Sequence, residues 1–117
     1  MITHVVLFRV RADLSRDERD ALLEAFEHAV REISTVRGVV AGRRVSFGAG
    51  YERPASESLD YLIAIEFDDL GGLQHYLQHP AHATLGERFN QACAAATIYD
   101  FSATRDVSGI RALFDTQ

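Results

Sequence analysis

The chain has 117 residues, enough for one domain with a real core and no more. Its formal net charge is −5, which argues against a nucleic-acid binder, since that needs a basic face. All 12 basic residues are arginine, so Schiff-base chemistry on a protein lysine and a P-loop lysine are both excluded. Cys93 is the only cysteine, which leaves no intrachain disulfide and no thiolate metal cluster.

The apolar run Val5 to Phe8 stops at Arg9, too short for a signal peptide or a membrane span. The expected location is the cytoplasm, with no membrane partner. Residues 2–11 read as a strand buried on both faces. Ile2, His4, Val6, Phe8 and Val10 share one face; Val5 and Leu7 lie on the other. Ser15 to Glu18 is a capping box. The helix behind it carries Leu22, Phe26, Ala29 and Ile33 and is expected to run to about Val36, with Gly38 ending it.

Residues 39–48 read as a second strand, followed by a loop rich in Gly, Glu and Ser. Leu59 to Phe67 reads as a third, with Tyr61, Ile63, Ile65 and Phe67 on one face and Leu62 and Ala64 on the other. Asp68 or Asp69 caps a helix that Pro80 breaks or restarts. A helix is expected from Pro80 to about Ala96, then a strand over Thr97 to Ala103. Residues 104–117 form a tail in which Ser108 to Phe114 can make one or two helical turns.

The order β-α-β-β-α-β predicts an α+β, ferredoxin-like antiparallel sheet with helices on one face. Val5, Leu7, Val45, Leu62 and Ala64 then mark an apolar opposite face that the helices cannot cover. The expectation is a homodimer in which two such sheets pack face to face, a dimeric α/β barrel.

The stretch Tyr76-Leu77-Gln78-His79-Pro80-Ala81-His82, together with His4, holds the polar groups best suited to chemistry. Histidine exchanges a proton near neutral pH. Two readings stand for each residue: His4 as a pocket group or a buried structural histidine, Tyr76 as a catalytic or a core tyrosine. His79 either enters the chemistry or holds the helix break, and His82 is the favoured base. The pair His75 and His79 has the i, i+4 spacing of zinc ligands, but no Glu lies between them and Pro80 disturbs the helix, so no metal is expected. His28 reads as a surface residue and Cys93 as an inert buried thiol.

These features resemble the stress-responsive dimeric α/β-barrel family, Dabb. The likeness runs over residues 2 to 103: His4 with its strand, Gly38-Val39, Asp60 to Phe67, the segment His75 to His82, and Tyr99-Asp100-Phe101. One branch of that family cyclises linear poly-β-keto thioesters by an intramolecular aldol step without a cofactor. The resemblance implies His82 as base, Tyr76 as its helper and His4 in the pocket. Phe8, Tyr61 and His79 would contact a small apolar or polyketide-like ligand. Tyr61 stands where that branch has a pocket histidine. Two other classes remain open: a non-enzymatic stress-response assembly protein, and a cofactor-independent monooxygenase of the related dimeric barrels.

Overall fold

The alternation of buried and half-buried residues from Ile2 to Val10 makes β1 a central strand. A computed structural model describes residues 1–115 and pairs β1 antiparallel with two neighbours. Helix α1 is Arg16–Glu32, β2 is Gly38–Arg43, β3 is Tyr61–Phe67, α2 is Leu70–Gln78, α3 is Pro80–Ala92 and β4 is Cys93–Ser102. The sheet order is β2-β3-β1-β4, antiparallel throughout. This is the expected ferredoxin-like α+β arrangement. No helix is long and apolar enough to cross a membrane among the described residues.

The helices share one face of the sheet. Val6, Phe8, Ile65 and Phe67 from the strands meet Leu22, Phe26, Ile33, Leu73, Tyr76 and Leu85 from the helical layer. Each such side chain contributes roughly 1.5–3 kcal/mol by leaving water. The capping box at α1 forms as read: the Glu18 N–H donates to Ser15 Oγ at 3.1 Å and the Ser15 N–H to Glu18 Oε1 at 3.2 Å. Asp69, not Asp68, caps α2, accepting from the Gly72 N–H at 2.8 Å. Asp68 instead pairs with Arg37 at 2.8 Å.

Several boundaries depart from the sequence reading. β2 ends at Arg43 rather than 48, because the Glu52 carboxylate captures the N–H groups of Phe47 and Ala49 and the Ser46 hydroxyl. Gly48, at φ +85, makes the turn that allows this. Val45 therefore leaves the sheet and is 75% exposed; Val40 takes its expected place on the outer face. β3 starts at Tyr61 rather than Leu59. Helix α3 ends at Ala92 rather than Ala96, because Cys93, Ala95 and Ala96 pair with Val10, Arg9 and Phe8. Alanine's helical preference is worth only a few tenths of a kcal/mol per residue over most others, about what one ladder pairing can override. Helix α1 ends at Glu32, short of Val36, where Ile33 turns extended but stays buried.

The other sheet face carries Val5, Leu7, Val40, Leu62, Ala64, Tyr99 and Phe101, which the register places side by side. No helix covers it. Tyr99 and Phe101 remain half exposed or more.

Candidate active site

His4 points into the helical layer because it alternates with Val6 and Phe8 on β1. It is 5% exposed. Its Nδ1 lies 2.6 Å from Oδ1 of Asp100, the residue directly opposite on β4. An ionised carboxylate only accepts, so Nδ1 carries the hydrogen, and in the neutral ring Nε2 keeps its lone pair.

Tyr76 sits in the last turns of α2, on its sheet-facing side, and is fully buried. Its ring meets Phe67 at 5.3 Å, His4 at 5.8 Å and His82 at 4.9 Å between centroids. Burial pushes the phenol up to about 12, so it stays protonated and can donate.

His82 owes its direction to the helix break. Pro80 occupies the first turn of α3, where its missing N–H costs nothing, and His79 is the cap: its Nδ1 accepts from the Ala81 N–H at 3.0 Å. That junction turns Ala81, His82 and Leu85 toward the sheet. Burial holds the His82 imidazole below its ordinary range. The neighbouring His4 adds to this, and the Leu77 carbonyl partly opposes it. At neutral pH His82 is a free base.

The three residues line one cavity of about 150 Å³, with Val6, Phe26, Leu85, Phe89 and Ile98 as apolar walls and Asn90 among its lining residues. The structure thus brings together His4, Tyr76 and His82. The remaining candidates lie elsewhere. Phe8 and Tyr61 line a larger apolar chamber of about 560 Å³ with Leu22, Leu23, Phe26 and Ile63. Phe26 borders both spaces, and the rings of Phe8, Phe26 and Phe89, 5.4–6.2 Å apart, form the wall between them. His79 lies at the helix junction, outside the residues lining either space, because its ring is committed to capping α3. It faces the exposed His75 at 6.1 Å, across the end of α2 rather than along a continuous helix. Burial raises the Cys93 thiol to about 11, so little of it is thiolate at neutral pH.

Asp100 is the site residue that reasoning from single strands missed. Its signal was an acidic side chain in the same alternation set as Ala96 and Ile98. Only the β1–β4 register shows that it stands opposite His4.

Residues 2–103 match the model of the Stress responsive A/B Barrel Domain, Dabb. The chain belongs to this family. Among its relatives it is similar to olivetolic acid cyclase of Cannabis sativa, 17% identical over 101 residues that cover 86% of this chain and 95% of the cyclase. It is 34% identical to an uncharacterised protein of Streptomyces coelicolor over 84 residues, 70% of this chain and 79% of that one. Among solved structures, a hydroxynitrile lyase from Passiflora edulis shares the fold with a TM-score of 0.72 at 14% identity, covering 90% of this chain and 94% of the lyase. A dimeric ferredoxin-like protein of unknown function from Thermobifida fusca does so at 0.68 and 20% identity, covering 87% and 90%. The Dabb match stops at residue 103, so the tail lies outside it.

Proposed function

We propose that this Dabb protein is a homodimeric, cofactor-free enzyme that makes or breaks a carbon–carbon bond beside a carbonyl. The favoured case is ring closure of a short polyketide-like chain. The observation that carries this reading is the shared cavity of His4, Tyr76 and His82. The neutral His82 imidazole takes a proton from the carbon between two carbonyls. The Tyr76 hydroxyl donates to the enolate oxygen, where the developing charge is largest. The nucleophilic carbon attacks a second carbonyl of the same chain, and the resulting alkoxide recovers the proton from the His82 imidazolium. The closure is an isomerisation and needs no oxidant. His4, held by Asp100, accepts through Nε2 from an enol hydroxyl of the chain and so orients it.

The small cavity suits the reacting carbons of a short chain, and the larger chamber with Phe8 and Tyr61 lies beyond the phenylalanine wall. Two relatives named as a cyclase and a lyase support chemistry of that kind at this site. The uncovered apolar sheet face and the dimeric state of structural neighbours support a face-to-face homodimer.

The test is incubation with a linear poly-β-keto coenzyme A thioester, with the cyclised product followed by mass spectrometry. His82→Ala is expected to abolish product while leaving the fold intact. Turnover unchanged in His82→Ala would overturn the assignment of the base. Failure of the wild type on both poly-β-keto thioesters and cyanohydrins would count against the enzyme reading.

A further inference from the structure

The tail beyond the matched domain presents four large apolar side chains to solvent. Val107 is 78% exposed, Ile110 65%, Leu113 72% and Phe114 93%. The segment is built rather than frayed. Asp106 caps a 3₁₀ turn over Val107–Ile110, accepting from the Ser108 N–H at 3.0 Å, and the Leu113 N–H continues the turns to the Ile110 carbonyl at 3.4 Å. Ordering a segment costs conformational entropy, and burial of these four side chains does not offset it here.

The root of the tail is tied to one side of the domain. The Ala103 N–H donates to the Met1 carbonyl at 2.8 Å, and the Met1 ammonium donates to the Ala103 carbonyl at 3.1 Å. Arg105 then pairs with Glu66. Register puts Glu66 on the outer sheet face, opposite Thr3 and Gly38. Its Oε1 comes within 2.5 Å of where a Cβ on Gly38 would stand, so the side chain lies along that face. The guanidinium therefore reaches across β1 on the outer side. The tail leaves the domain there, at the end of the Tyr99 and Phe101 stripe. The molecule is a slab 18 Å thick and 45 Å by 41 Å across, with a radius of gyration of 15.8 Å. A compact chain of this length is expected near about 13 Å.

We infer that residues 104–114 form an apolar arm that packs onto a second copy of this chain and extends the outer-face dimer. The inference rests on the sheet-face dimer proposed above. The occupant is a second copy because the root of the arm, through Arg105 and Glu66, is tied to the same outer face that the proposed dimer uses. Two-fold symmetry makes each arm contact occur twice, so the arms embrace reciprocally.

The experiment compares full-length chains by sedimentation over a dilution series: wild type, a fourfold arm variant (V107S, I110S, L113S, F114S), and Leu7→Arg on the sheet face. Far-UV circular dichroism confirms that each is folded. The wild type is expected to be a dimer. The arm variant is expected to dissociate at ~100-fold higher concentration or more, the scale of losing a few buried apolar anchors. Amide exchange at Leu113 and Asp115 is expected to be slower in the dimer than in the diluted monomer. Equal dissociation of wild type and arm variant, or arm exchange that ignores dimerisation, overturns the arm. Leu7→Arg giving a monomer in that case leaves the sheet-face dimer standing. A monomeric wild type at micromolar concentration overturns both.

Discussion

His4 and Asp100 face each other across β1 and β4, with Nδ1 and Oδ1 2.6 Å apart. A buried imidazole is thereby tied to a carboxylate that is itself 44% exposed. The pair joins the cavity to the sheet's outermost strand on that side. Asp100→Ala is expected to cost about 1–2 kcal/mol in urea unfolding, because a buried donor loses a charged acceptor that solvent already screens in part. A loss under about 0.3 kcal/mol would show that the pair adds nothing to the fold.

The depressed His82 fixes a pH dependence. Its folded-state affinity for protons lies below that of the unfolded chain, so the unfolded state binds the proton first as pH falls. The stability contribution is present above about pH 6.5 and is lost as pH falls through the folded value. His82→Gln is expected to flatten the stability profile below about pH 6.5. Titration of the His82 ring by NMR is expected to give a midpoint below about 6.5; a midpoint at or above it would show that burial does not dominate there.

Tyr76→Phe separates packing from chemistry. The ring is buried against Phe67, His4 and His82 and stays in place, so stability is expected to change by less than about 1 kcal/mol. If the hydroxyl donates to an enolate, kcat falls about 100-fold or more while KM hardly moves. A loss confined to KM would make Tyr76 a binding residue.

Phe26 is the divider between the reactive cavity and the apolar chamber. Phe26→Leu keeps an apolar residue there and should cost about 1–1.5 kcal/mol. It opens the wall, so longer apolar substrates are expected to gain in kcat/KM relative to shorter ones. An unchanged chain-length preference would show that the two spaces act independently.

Most of the fold was legible because alternation and capping are local. The first strand, read over 2–11, the Ser15 capping box and the third strand, read over 59–67, follow from neighbouring residues, with only their ends displaced. The misread stretches are those where local preference is weak. Cys93 to Ala96 satisfies a helix on its own and becomes strand only because β1 offers partners. Val45 continues an apolar pattern, yet Glu52, seven residues on, pulls that segment out of the sheet.

For the site, motif order singled out Tyr76 and His82, and alternation turned His4 inward. His79 and Tyr61 show where that reasoning stops. Of the two readings for His79, the helix break wins: α2 ends at Gln78, Pro80 starts α3, and the ring becomes a cap. Tyr61 shares a strand face with Ile63 and Ile65, yet three phenylalanine rings wall it off from His82.

By itself, the sequence determined the element order, the inward histidine, the absence of lysine chemistry and an apolar sheet face in need of cover. Those rest on period, composition and caps, which act within a few residues. Only the tertiary structure decided that Asp100 holds His4, that the pocket residues divide between two spaces, and that the tail emerges on the outer face. Each of these depends on strand register or on helix packing, where residues up to 102 positions apart become neighbours.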